Sequence, residues 1–159
     1  MVPEPQTRIS GRALVVWRIS GAITSLIIWI IGGGLVTLGI VFDWPFWLIA
    51  ALITLILTYS YLIIFFFPKL RWKRWRYEVR EQEIELMRGV FIIKRTLIPM
   101  VRVQHVDTQQ GPLLRKYQLS TVMISTAATV HEIPALDMDE AEELRQSISR
   151  LARVADEDV

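Results

Sequence analysis

The sequence predicts a membrane α-helical hairpin followed by an α+β, mainly-β barrel domain with a C-terminal helix. Three observations carry that reading. Ile19–Phe42 and Trp44–Phe67 contain no Asp, Glu, Lys or Arg, so Asp43 stands alone between two uncharged runs of 24 residues. At about 1.5 Å per residue each run reaches roughly 36 Å as a helix, enough to cross a hydrocarbon core of about 30 Å. After Pro68 the apolar residues recur at every second position, and only near the end do they return to spacings of three and four.

Composition narrows the chemistry. The 159 residues include no cysteine, which excludes a disulfide scaffold, a Cys-based zinc site and thiol catalysis. Lys and Arg total 18 against 16 Asp and Glu, a small positive balance. About 90 residues follow Pro68, room for one small domain.

Residues 1–18 show no sustained apolar period and are expected to form a flexible cytoplasmic tail. Arg8, Arg12 and Arg18 before the first run resemble the charged region of a signal peptide, but the run is too long and continues through Gly32-Gly33-Gly34 into a second one. Residues 19–67 are therefore read as a two-helix hairpin, about 19–42 and 44–67. In its tip, Asp43-Trp44-Pro45, Pro45 starts the second helix and Asp43 is expected to cap it. Eight basic residues flank the outer ends and none the tip, so both termini are expected to be cytoplasmic, in a multi-pass protein of the cell membrane. Trp17, Trp44, Phe46, Trp47, Trp72 and Trp75 bracket the spans as interfacial aromatics.

Gly21, Ser25, Gly32 and Gly39 keep small side chains on nearly one helical face, and Ala51, Thr54 and Thr58 offer a matching face on the second helix. Either the two helices pack on each other there, or the face builds a homo-oligomer. Neither span contains Asp, Glu, Lys, Arg or His, which argues against a proton relay or charged transport pathway.

Residues 68–155 are read as a cytoplasmic domain, followed by an acidic tail at 156–159. Trp75, Tyr77 and Val79 alternate with charged residues in a first strand. Glu83–Arg88, Val90–Leu97, a short strand from Val101 to Val106, Thr121–Thr126 and Val130–Ile133 supply five more. Gln109-Gln110-Gly111-Pro112 turns into one helical turn bearing Leu113, Leu114 and Tyr117. Asp137 with Glu140 forms a capping-box pattern for a last helix striped by Ala141, Leu144, Ile148 and Leu151. Strands first and one closing helix last argue for an antiparallel α+β or barrel fold.

The order of these features resembles the YdbS-like bacterial pleckstrin-homology (PH) membrane proteins. The residues that carry the likeness are Tyr77-Glu78-Val79, Met87-Arg88-Gly89-Val90, Ile98-Pro99-Met100-Val101-Arg102-Val103-Gln104-His105-Val106 and Gln110-Gly111-Pro112-Leu113-Leu114-Arg115-Lys116-Tyr117, within Ile19–Leu151. The resemblance implies a PH-like barrel of about seven strands closed by the C-terminal helix. It implies no enzymatic activity and no cofactor. By analogy it also implies a membrane complex with a larger relative that bears tandem copies of the domain. Gln118 departs from the pattern, since the family tends to have Gly there.

Candidate chemistry is sparse. His105 and Asp107 share a strand face, and His131 lies near Thr129, but two histidines without a third ligand make a weak metal site. The glycine run lacks the Lys and Ser/Thr of a phosphate loop. Lys69, Arg71, Trp72, Lys73, Arg74, Trp75 and Arg76 place five cations and two indoles in eight residues, a candidate site for anionic lipid. The same cations also serve simply to orient the span. The acidic cluster from Asp137 to Glu143 and the lack of a nucleic-acid motif argue against nucleic acid. The function expected is a membrane-anchored PH-like interaction module in an inner-membrane or envelope complex. The alternative is a sensor of anionic inner-leaflet lipid, with membrane lipids, further copies or the tandem relative as partners.

Overall fold

The computed structural model describes residues 4–157, which divide into two compact units. One is Trp17–Leu70. The other joins the residues up to Val16 to those from Arg71 onward, so the β domain is discontinuous in sequence.

Helix α1 runs Arg12–Val41, and α2 (Phe46–Tyr61), a π-helical turn (Leu62–Phe66) and α3 (Phe67–Arg74) follow as one helical stretch; the first unit holds all of this but the start of α1 and the end of α3. Both Arg12–Val41 and Phe46–Arg74 are long and apolar enough to cross a membrane. The helices are longer than the uncharged runs predict. Charged residues at the ends of a span leave its helical hydrogen bonds intact, and Pro68 lies just past a π turn that already interrupts the regular ladder.

The tip corrects one expectation. Asp43 does not cap α2, whose N-cap position is Pro45 with no side-chain cap bond. Instead Asp43 ends α1 in the left-handed conformation, φ 51°. The Asp43 amide donates to the Ile40 carbonyl at 3.3 Å and the Trp44 amide to that of Gly39 at 2.8 Å, the paired bonds of a Schellman stop.

The second unit carries two antiparallel sheets, ordered β1-β2-β3-β4 and β5-β6-β7. The strands are β1 Thr7–Arg8, β2 Arg76–Val79, β3 Glu83–Arg88, β4 Lys94–Pro99, β5 Val103–Gln109, β6 Leu119–Thr126 and β7 Val130–Asp137. Helix α4 (Pro112–Lys116) fills the β5–β6 connection, and α5 (Met138–Glu157) packs on the second sheet. Ile84, Leu86, Met100, Leu119, Ile124, Ile133 and Ile148 are each no more than 1% exposed and form the core, with Trp75 and Tyr77 beside them. This is a PH-like architecture.

Three further differences have physical causes. The expected flexible tail is largely built into the domain: β1 pairs with β2, Thr7 opposite Tyr77, and Pro5 and Ile9 are buried. Residues 1–3 and 158–159, part of the expected tails, lie outside the described residues, and α5 continues through Glu157. Second, β7 runs past Pro134. Pro134 and Ala135 stand opposite Thr121 alone, a bulge in which Ala135 takes φ 52°. Third, the two capping-box residues hold other partners. Asp137 Oδ1 accepts from Ser10 Oγ at 3.0 Å and from Arg12 Nη2 at 2.7 Å, while Glu140 Oε1 accepts from the Tyr77 hydroxyl at 2.9 Å.

Candidate functional site

The basic segment is helical through Arg74, because α3 continues the second span. Lys69, Arg71 and Lys73 are exposed. The two indoles and Arg76 have structural partners. Trp72 Nε1 donates to the Ser10 carbonyl at 3.1 Å, and Trp75 is 2% exposed inside the core, so Trp75 is not an interfacial anchor. Arg74 and Arg76 are half-buried; Arg76 stands between Arg8 and Met87 in the sheet and lies 3.9 Å from Glu4. Of the five cations in the candidate lipid site, Lys69, Arg71 and Lys73 are thus the exposed ones. Arg71 reaches solvent, yet burial beside the sheets lowers its pKa, with Glu132 opposing and Arg88 adding to that shift.

The small face of α1 is buried within the hairpin unit. Gly21, Ser25, Gly32 and Gly39 are all buried. A Cβ at Gly21 would lie 2.6 Å from the Ile63 carbonyl oxygen, which the π turn carries, and one at Gly32 would lie 2.2 Å from Ile56 Cδ1. At Gly39 it would meet the Trp44 ring at 3.2 Å. The structure does not bring Ala51, Thr54 and Thr58 to this contact. Thr54 and Thr58 spend their hydroxyls within their own helix, each donating to a carbonyl one turn back at 2.8 Å.

The facing surface of the second helix is instead Ile49, Ile56, Ser60 and Ile63. Ser60 Oγ accepts from Ser25 Oγ at 2.7 Å and from Trp29 Nε1 at 3.0 Å. Residue size alone misses this face, because here large side chains fill the hollow left by glycine. The available signal is the seven-residue spacing of Ile49, Ile56 and Ile63, which keeps step with the spacing of Ser25, Gly32 and Gly39 on α1.

Neither histidine joins a metal-binding cluster: among the described residues no group of three His, Cys, Asp or Glu could hold an ion. His105 Nε2 lies 3.7 Å from Asp107 Oδ2 with both side chains exposed. His131 is half-buried, and burial, with the nearby charges of Arg88 and Lys94, lowers its pKa.

Open grooves in the β domain include two that border its strands. One, of about 500 Å³, runs between edge strand β5 and α5, lined by Val103, His105, Ser149 and Ala152 among others. A second, of about 450 Å³, lies between β4 and the β6–β7 turn and includes Leu97, Val101 and Ala128. Buried polarity elsewhere is structural. Glu85 is 3% exposed and accepts from Arg95 Nε at 2.8 Å and from Arg80 Nη2 at 3.3 Å.

Two sheets closed by one helix, carried on an apolar hairpin and without a catalytic constellation among the described residues, define a membrane-borne PH-like domain. The chain belongs to the bacterial PH domain family, whose model matches residues 14–152. It is 52% identical over 159 residues to the UPF0699 transmembrane protein YdbS of Bacillus subtilis (strain 168), with the whole of both chains covered. It is also 25% identical over 119 residues to the UPF0699 transmembrane protein YdbT of the same organism, a match covering 72% of this chain and 20% of that protein. No solved structure matches. The chain is thus a membrane protein bearing a bacterial PH domain.

Proposed function

We propose that the chain is a non-catalytic, membrane-anchored interaction module and a subunit of an inner-membrane or envelope complex, with both termini in the cytoplasm. The observation that supports this best is the open edge of β5 beside α5. An edge strand offers unpaired backbone groups, and the adjoining groove of about 500 Å³ can take the side chains of an added extended segment. The partner we favour is a longer membrane relative carrying the same kind of domain.

Purification of the intact protein in mild detergent tests the reading. A stoichiometric protein partner is expected, and Ala152→Arg, which fills the groove, should remove it while the domain stays folded. Recovery of the chain with no stoichiometric protein would overturn the proposal. A second reading, response to anionic lipid, draws on the exposure of Lys69, Arg71 and Lys73 just beyond the second span. It predicts that changing Lys69 and Lys73 to Gln weakens the preference for anionic over zwitterionic lipid, most at low salt.

A further inference from the structure

Arg18 stands at the end of the hairpin away from its tip, immediately before the first uncharged run. Its guanidinium carbon lies 5.6 Å from the centre of the Phe65 ring, a cation–π contact between α1 and the π turn. Both residues belong to the Trp17–Leu70 unit. The contact leaves the hydrogen-bonding capacity of the guanidinium unused. Arg18 Nε is buried, and among the described residues the side chain finds no hydrogen-bond acceptor and no carboxylate. The Trp17–Leu70 stretch holds a single acidic residue, Asp43, and that lies in the tip.

A buried donor left without an acceptor is costly, more so when it is charged, and an anion from outside the chain removes that cost. Arg18 is half-buried, so part of its planar fork stays open, and the fork suits two oxygens of a phosphate. The second cation of the unit, Lys69, is exposed four residues after Phe65. A helical side chain leans back over the preceding turn, which carries the Lys69 ammonium toward Phe65. Two cations with no carboxylate beside them favour a net anionic ligand over a zwitterionic one.

The surface below the cations identifies the kind of phosphate. Tyr61 lies one turn deeper in the apolar stretch with its ring 5.8 Å from that of Phe65, and the two residues are 62% and 48% exposed. From the end of the hairpin inward, the surface therefore runs from cations through two aromatic rings to bare apolar helix. A phospholipid has the same order, from phosphate through the glycerol region to the acyl chains. A soluble phosphate would use the cations and leave the rings idle.

We propose that Arg18, Phe65 and Lys69 form a site for the phosphate of one anionic phospholipid, with Tyr61 against its acyl chain. This goes beyond the interaction reading and does not rest on it. It also differs from a response to summed basic charge, because it depends on the Arg18 fork and the Phe65 ring.

The full chain is purified in mild detergent, and bound lipid is counted by native mass spectrometry during titration with phosphatidylglycerol or phosphatidylcholine. Preferential binding of one phosphatidylglycerol per chain is expected. Arg18→Gln should weaken it about tenfold, and Arg18→Lys, which keeps the charge but loses the fork, about threefold. Phe65→Leu keeps an apolar side chain without the ring and should also cost about threefold. Arg150→Gln on α5 removes the same charge elsewhere and should bind as the unsubstituted chain does. Tryptophan fluorescence verifies that each variant is folded. Equal affinities for Arg18→Gln and Arg150→Gln would overturn the proposal, as would undiminished binding by Phe65→Leu. So would displacement of the lipid by inorganic phosphate, which would assign the site to a soluble anion.

Discussion

A glycine series on α1 tests how the hairpin is held together. In Gly21→Ala the new Cβ would sit 2.6 Å from the Ile63 carbonyl oxygen, 0.8 Å inside the 3.4 Å at which ordinary van der Waals contact begins. Backbone cannot rotate away as a side-chain end can, so the helices must separate. A gap of that size forfeits a quarter to a half of each affected dispersion contact. Overpacking of this kind costs about 1–3 kcal/mol. Gly33→Ala is the matched control, because nothing lies within 4 Å of its Cβ and both changes carry the same helix-propensity gain of about 1 kcal/mol.

The measured quantity is therefore the difference between the two variants, about 1–3 kcal/mol, read from unfolding of the full chain in detergent by tryptophan fluorescence. Gly32→Ala should fall between them, since its obstacle is Ile56 Cδ1, the free end of a flexible side chain. If Gly21→Ala and Gly33→Ala unfold together, the contact is not what stabilises the hairpin. If Gly21→Leu leaves unfolding unchanged but abolishes cross-linked oligomers in membranes, the face works between chains.

Cysteines at Gly11 and Val159 should be labelled from one side of the membrane and a cysteine at Asp43 from the other; labelling of Gly11→Cys from outside intact cells would refute cytoplasmic termini. Gln118 holds φ 54°, a conformation glycine adopts without penalty, so Gln118→Gly should stabilise the protein by about 1 kcal/mol in chemical denaturation. Because the folded His131 binds its proton less readily than the ordinary 6.5 of an unfolded histidine, the unfolded state gains protons first on acidification. Stability should fall as pH drops through about 6.5, and His131→Gln should flatten that part of the profile.

Much of this architecture is legible in the residue pattern, and the failures share a cause. The spans, β2, β3, β6, α4 and α5 follow from local periodicity. The β4 boundary does not, because Phe91–Ile93 are as apolar as a buried strand and only the neighbouring packing reveals that they stand exposed. The lipid segment shows the converse. Trp72 and Trp75 read as interfacial aromatics by composition, whereas one donates to Ser10 and the other fills the core. β1 is beyond the reach of pattern, since two residues, Thr7 and Arg8, carry no period and their partners, Tyr77 and Arg76, lie on the far side of the whole hairpin in sequence.

That last strand alters what counts as the domain. The segment before α1 pairs with β2, and its Ile9 is 3% exposed. Ser10 accepts from Trp72, and Arg12 donates to the Tyr117 carbonyl at 3.1 Å as well as to Asp137. The hairpin is therefore an insertion between the first and second strands of the PH-like domain. A fragment starting at Pro68 leaves these partners unmet. Losing one buried isoleucine and several hydrogen bonds removes about 5 kcal/mol, comparable to the whole stability of a small domain. Residues 68–157 alone should therefore show a broad, low-temperature transition by circular dichroism. Residues 4–16 joined to 71–157 through a flexible Gly/Ser linker should melt cooperatively at higher temperature. Equal melting of the two fragments would show that the N-terminal segment decorates the domain without completing it.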